Sequence, residues 1–307
     1  MRPLAWVLNL DAELELARPR GYRASARVLA FVRERRAALA RFLGPGDAIV
    51  EPGVAPGAPL AGHLGAAWCP TPSALAALAA AGVAPPAAPG LEALRRVNHR
   101  AFCAELGQTL PGAQYAREPA EVEALVAGPS PSGAWLLKRP YGFVGRGRLR
   151  VRAGPLGAAE RAWVLASLRE GEGLQIEPWV ERAGDFALHG WLSPGGAFRL
   201  GSPTEQRCDE RGAWVESRPA PEGSLEGPER RALLDEGARA AEALARAGYF
   251  GPFNLDAFRW KDGRGRPHFN PRCEINARYS MGWALGMGAR TLGDFARGPA
   301  AGGFVSQ

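Results

Sequence analysis

The sequence predicts a protein of mixed α/β and α+β class, and three observations carry that expectation. Over roughly the first 90 residues, apolar strand-like runs alternate with segments of helical periodicity. Further on, the strand-like WLLK ends at Lys138 and opens into a loop carrying Gly142, Gly145 and Gly147. Finally, the stretch from Tyr249 to Gly282 has strand patterning on both sides of KDGRGR, a run of turn residues, and so reads as a β-hairpin.

Taken in order, Leu4 to Leu10 (LAWVLNL) reads as a buried strand ending at Asp11. From about Ala24 to Phe42, apolar residues recur at helical spacing with arginines on the outer face. GPGDAIVEPG is a turn and short strand, and AAWCPTPSALAALAAAG a strand leading into an Ala-rich helix with a Thr/Pro/Ser start. The proline-rich Val83–Gly90 marks a boundary or an exposed connection. Then come an amphipathic helix from Gly90, a short strand, a helix at REPAEVEALVAG, the Lys138 strand with its return strand, and a helix at ERAWVLASLRE. GLQIEPWVERAGDFALHGWLS reads as strand, kink and strand, the second beginning near Asp185. AFRLGSPTEQRCDERGAWVES reads as a strand, a polar loop and another strand, and a long amphipathic helix precedes the hairpin. The glycine-rich tail from about Arg297 reads as poorly ordered.

Composition narrows the function classes. With 307 residues, 46% hydrophobic and 22% charged, the chain has material for two or three domains and a substantial core, and disorder is not its default. No signal peptide is evident and no apolar run reaches the roughly 18 residues of a membrane span, so a cytoplasmic, non-membrane protein is expected. Cys69, Cys103, Cys208 and Cys273 are scattered without a CxxC pair, which favours reduced packing residues over disulfides or zinc. The formal charge of +7 is spread along the chain with no basic block interleaved with aromatics, so an anionic small ligand accounts for it and nucleic acid is not expected. Only Lys138 and Lys261 among the 38 basic residues are lysines, which singles out Lys138.

The hairpin carries the most specific chemistry. Side chains two apart on a strand share a face, so Glu274, Asn276 and Arg278 line one side, and cross-strand pairing brings Asp256 beside them. Two carboxylates and an amide oxygen suit Mg²⁺, which takes oxygen ligands and shares them with phosphates, and Arg278 stands where an anion is held. A hairpin whose charges merely face water fits the same residues. After Lys138, glycines let backbone N–H groups approach a phosphate while the lysine supplies a point charge; an ordinary glycine-bearing hairpin also fits. QIEPWV, with Glu177, Trp179 and Val180, can offer backbone groups to an adenine edge, with a carboxylate nearby for ribose, although an interdomain linker looks similar. Neither GxGxxG after the first strand nor GxxxxGK[ST] occurs, which weakens Rossmann and P-loop alternatives. Gln206 and Arg207, in the TEQRCDE loop, are placed to face a substrate, although a plain polar loop fits them better, and the four histidines, lacking metal spacing, read as structural or surface residues.

In this order, LLKRPYGFVGRG, QIEPWV, NLDAF and CEINAR resemble the ATP-grasp superfamily over essentially the whole chain. The resemblance implies an N-terminal α/β domain over 1–90, then a middle subdomain with a glycine flap over 91–176 and a C-terminal subdomain with the metal site over 177–300. These two α+β subdomains clamp the nucleotide, and a tail follows over 301–307. It implies that Lys138 and Arg100 contact phosphates, that Gly142, Gly145 and Gly147 form the flap, and that Glu177, Trp179 and Val180 line the adenine. Asp185 would contact ribose. Asp256, Glu274 and Asn276 would bind Mg²⁺ or Mn²⁺, and Arg278 would face an acyl phosphate. Arg100 departs from the lysine common at its position but keeps a phosphate-binding cation. Arg139, Arg146 and Arg148 make the flap more basic than usual.

The function implied is an ADP-forming ligase in which ATP activates a small-molecule carboxylate for attack by an amine. An ATP-grasp small-molecule kinase and a non-catalytic nucleotide-binding protein are the alternatives. Dimers are common among such enzymes, so a homodimer is one assembly compatible with the resemblance, and the oligomeric state stays open.

Overall fold

A computed structural model describes residues 2–39, 43–53, 59–143, 145–169, 172–209 and 214–295. Its strands form three sheets in sequence order along the chain. The first is parallel, in the order β2 (Ala48–Ile49), β1 (Leu4–Val7), β3 (Leu64–Ala67). Helices α1 (Ala12–Ala17), α2 (Ala26–Leu39) and α3 (Pro72–Ala80) accompany it.

The first strand is shorter than expected. β1 stops at Val7 because Asn9 turns inward, donating to the Cys69 carbonyl and Thr71 Oγ1 and accepting from the Cys69 N–H. In NLDAELELA the polar residues recur as in a half-exposed strand, yet Asn9, Asp11, Glu13 and Glu15 are all buried. Glu15 accepts from the Ser73 N–H and the Thr71 and Ser73 hydroxyls, satisfying the start of α3. Helix α2 lies within the expected Ala24–Phe42 span, whose last three residues are outside the described set.

Two short helices, α4 (Leu91–Asn98) and α5 (Arg100–Glu105), replace the single helix expected after Gly90. His99 has extended dihedrals and accepts the Ala101 N–H on Nδ1, so it caps α5 and makes Arg100 its first residue. The second sheet is antiparallel, in the order β4 (Gln114–Ala116), β7 (Leu174–Pro178), β5 (Ala134–Phe143), β6 (Arg146–Arg152). It is backed by α6 (Pro119–Ala127) and α7 (Ala158–Leu168) through Val122, Val126, Leu137, Val164, Leu174 and Ile176. β5 continues beyond Lys138, and its register with β6 breaks between Lys138 and Phe143. Pro140, which has no N–H to donate to the ladder, falls in that interval.

The third sheet runs β11 (Trp214–Pro219), β10 (Thr204–Cys208), β8 (Glu181–Leu192), β12 (Gly251–Lys261), β13 (Pro267–Asn276), with β9 (Phe198–Leu200) also paired to β8. Here TEQRC is a strand rather than a loop, and β8 starts at Glu181, ahead of Asp185. Helix α8 (Gly227–Arg246) covers one face. Gly190 is required on β8, because a Cβ there would lie 2.4 Å from the ring of buried Phe253. The expected 301–307 tail lies outside the described residues.

The largest apolar cluster joins Trp6 and Trp68 of the N-terminal region to Leu244, Phe253, Ile275, Tyr279 and Trp283. Trp6 meets Tyr279 edge-on at 5.3 Å, and the Tyr279 N–H donates to the Trp68 carbonyl at 3.1 Å. The first sheet therefore buttresses the chain just where it leaves β13. Among the described residues, no helix is long and apolar enough to cross a membrane.

Candidate active site

The register of the hairpin sets the site. Asp256 on β12 pairs directly with Glu274 on β13, and Asn254 with Asn276, so all four side chains share one face. Two carboxylates face each other across a strand pair, a repulsive arrangement unless positive charge intervenes. Protein groups supply it: Arg100 Nη2 donates to Glu274 Oε1 at 2.8 Å, and Asp256 accepts from the Gln206, Asn254 and Asn276 amides at 3.0, 2.9 and 3.2 Å.

The carboxyls diverge accordingly. Burial and the neighbouring Glu274 carboxylate push Asp256 up to about 6. Burial acts in the same direction on Glu274, but Arg100, Arg148 and Lys138 outweigh it and hold it down at about 2. A divalent cation between these oxygens would relieve the repulsion, and Asn276 adds an amide oxygen, so the donor set fits Mg²⁺ once Arg100 and the amide N–H groups give way. Among the described residues, no cluster of three or more His, Cys, Asp or Glu side chains offers a competing metal centre.

The segment Asn98-His99-Arg100 supports one side of the site, with Arg100 alone of the three lining the cavity. The Asn98 side chain both accepts the Ala277 N–H at 2.9 Å and donates to the Ala277 carbonyl, holding the backbone between Asn276 and Arg278. Arg100 is buried, and its Nε donates to the Arg139 carbonyl of β5 at 3.0 Å. Gly142 is needed for that approach, since a Cβ there would lie 2.7 Å from Arg100 Nη2. Gly145 and Gly147 have φ of +70° and +75°, left-handed values that side chains disfavour, so the strand reversal at this tip favours glycine.

Lys138 is buried and pairs with Glu177 at 2.5 Å, while Gln175 Nε2 donates to the other Glu177 oxygen at 2.7 Å. Burial lowers the lysine pKa, which Glu177 partly restores. Trp179 lies under the Arg150 guanidinium at 4.3 Å, and Val180 packs with Leu110, Phe258, Trp260 and Cys273. Asp185 is paired with Arg182 at 2.7 Å, and Arg182 lies over Phe258 at 4.0 Å.

A cavity of about 220 Å³ gathers Arg100, Gly142, Gly145, Asp256, Glu274, Asn276 and Arg278. Lys138, Gly147, Trp179, Val180 and Asp185 do not line it, and Glu177 faces a second cavity of about 340 Å³ between α5, β7 and β13. Several lining residues go beyond the expected nucleotide and metal set. Glu13 reaches Arg278, accepting from Nε at 2.5 Å and from Nη2, and Arg278 also donates to Asn276 Oδ1 at 3.1 Å. Gln206 lies on β10 and donates to Asp256; Arg148, His189, Asn254 and Ser280 also line the cavity, as do Arg35, Arg146 and Ser217. The one available signal was strand alternation, which places Asn254 on the face of Asp256. The four cysteines are free, as expected, and Cys69, Cys103 and Cys273 are buried.

No protein-family model and no curated protein matches the chain. Solved structures do match. The D-alanyl-alanine synthetase A of Vibrio cholerae O1 biovar eltor is 12% identical with a TM-score of 0.51, over 90% of this chain and 89% of that one. A biotin carboxylase from Campylobacter jejuni, in complex with β-γ-ATP, is 13% identical with a TM-score of 0.51, over 90% and 66%. Rhizobium etli pyruvate carboxylase is 20% identical with a TM-score of 0.51, over 92% and 24%, so this chain spans less than two thirds of either carboxylase. At such identities the likeness is one of fold: over nine-tenths of its length the chain shares the architecture of these solved structures.

Proposed function

We propose that the protein is an ATP-dependent ligase that activates a small-molecule carboxylate as an acyl phosphate for attack by an amine, releasing ADP and phosphate. The observation that carries this reading is the in-register pair Asp256 and Glu274, set in one cavity with Arg100, Arg148 and Arg278. Phosphoryl transfer needs charge neutralisation and alignment more than covalent help, and this cavity offers cations around two metal-binding carboxylates. Bound magnesium, held by Asp256, Glu274 and Asn276, would supply neutralisation of the phosphate oxygens.

Arg100 and Lys138 bind phosphate oxygens in this reading, leaving their present carboxylate partners as the nucleotide enters. The Gly142–Gly147 turn closes over the phosphates and excludes water, while Glu177, Trp179, Val180 and Asp185 serve the nucleoside. Arg278 orients the acyl phosphate oxygens, with Glu13 setting its position until the substrate carboxylate arrives. The subdomain limits implied by the resemblance, 1–90, 91–176 and 177–300, belong to this proposal. Residues Arg146 and Arg148 at the cavity favour a second reading, a kinase acting on a small molecule that already bears an anion.

The test is ADP release from Mg-ATP with pooled acids and pooled amines, in wild type and Glu274→Ala. Release requiring both pools, and lost in the variant, supports the ligase. A stable phosphorylated product formed without amine supports the kinase, and undiminished release by Glu274→Ala contradicts the metal assignment.

A further inference from the structure

The third sheet presents two rows across three strands. Ala187, Asp256 and Glu274 form one; His189, Asn254 and Asn276 form the next, on the same face and nearer the exit of β13. The second row is neutral and only partly satisfied. Asn254 is 2% exposed, and its Nδ2 donates to Asp256 Oδ1 at 2.9 Å. A carboxylate oxygen accepts hydrogen bonds, which fixes the amide orientation and leaves Asn254 Oδ1 buried without a partner.

His189 is 1% exposed, and its Nδ1 is buried against Gly286 with no partner. An N–H there would be stranded, so the ring proton belongs on Nε2. Burial favours this neutral ring. Ser280 Oγ, like Asn254 Oδ1, is buried without a partner, whereas the unpartnered His189 Nδ1 is closed off by Gly286; all three residues line the cavity. Buried polar groups are seldom left unmade unless something else completes them.

Of the charges on these two rows and beside them, Arg278 is engaged by Glu13, Asp256 by three amides and Glu274 by Arg100, while Arg148, whose Nε is buried without a partner, belongs to β6 of the second sheet. Resting on the ligase reading above, we propose that His189, Asn254 and Ser280 form the acceptor subsite and take an uncharged head group bearing a hydrogen-bond donor beside an acceptor. A carboxamide is the simplest fit. Its N–H donates to Asn254 Oδ1, its carbonyl accepts from His189 Nε2–H, and Ser280 completes either. A carboxylate is repelled by the Asn254 oxygen, and an ammonium by the imidazole N–H.

The experiment follows the His189 ring in ¹⁵N-histidine-labelled full-length protein, with the resonance assigned by its loss in His189→Gln. Propionamide, propionate and propylammonium are titrated separately, and Mg-ATP stabilisation is recorded on the same preparations. The expected result is a saturable shift with propionamide, weakened at least about tenfold in Asn254→Leu and reduced in the milder Ser280→Ala. Should Asn254→Leu not fold, Ser280→Ala carries the comparison. An equal or tighter response to either charged probe, or no saturable response to propionamide, overturns the subsite. If Mg-ATP still stabilises the protein in that case, the subsite alone fails. If propionamide binds while Mg-ATP has no effect, the ligase reading fails and the pocket stands as an amide site.

Discussion

Arg100 donates from Nη2 to Glu274 at 2.8 Å and from Nε to the Arg139 carbonyl at 3.0 Å, so one side chain ties α5 to both β5 and the hairpin. Arg100→Ala leaves Glu274 beside Asp256 without its cation. Breaking a buried pair costs about 3–5 kcal/mol; Glu274 keeps 23% of its side-chain exposure, so about 2 kcal/mol is expected. Urea unfolding checks it, and Arg100→Lys should recover part of the loss.

Asn98 acts on the site without entering the cavity. Asn98→Ala removes two hydrogen bonds to Ala277 and strands a buried N–H, a loss of about 1–3 kcal/mol in the same unfolding experiment. Because Ala277 lies between Asn276 and Arg278, Mg-ATP should also stabilise this variant less than wild type.

Two glycine substitutions separate flap chemistry from packing. At Gly142 an added Cβ meets Arg100 Nη2, the nitrogen that pairs with Glu274, so Gly142→Ala should lose up to the roughly 2 kcal/mol of that pair together with nucleotide stabilisation. At Gly201 the Cβ would lie 2.2 Å from the backbone oxygen of Gly286, which cannot yield without backbone movement. Gly201→Ala should therefore show the larger drop in Tm.

Burial lowers His189 to about 3, and burial together with Arg117, Arg95 and Arg100 lowers His99 to about 4. An unfolded histidine titrates near about 6.5. Folded values below unfolded ones mean that the unfolded chain takes up protons first as pH falls. This contribution is therefore complete above about pH 6.5 and is lost progressively down to about pH 4 for His99 and about pH 3 for His189. Urea midpoints from pH 7.5 to 4.5 should fall, and His189→Gln should remove about one proton from the uptake on unfolding.

Much of this architecture was legible because it is local. The hairpin, its turn and the pairing of Asp256 with Glu274 follow from alternation across one short connection. The strand read over Leu4 to Leu10 ends early, at Val7, because Asn9 turns inward onto Cys69 and Thr71, partners about 60 positions away that no local pattern reports. TEQRC looked like a loop because an edge-side strand of polar residues has no apolar face to announce it. Glu13 and Arg278 are 265 positions apart, and no local pattern reports that contact. His189 and Asn254 looked ordinary because their importance lies in bonds that other protein atoms leave unmade.

The central claim is a magnesium-dependent nucleotide site on Asp256 and Glu274, and denaturant unfolding with and without Mg-ATP tests it most directly. At 100 times the dissociation constant, a bound nucleotide should add about 2.7 kcal/mol to the wild type. The gain should vanish when magnesium is chelated and shrink strongly in Glu274→Ala. Equal stabilisation of both proteins, or none of the wild type at saturating Mg-ATP, would contradict the account.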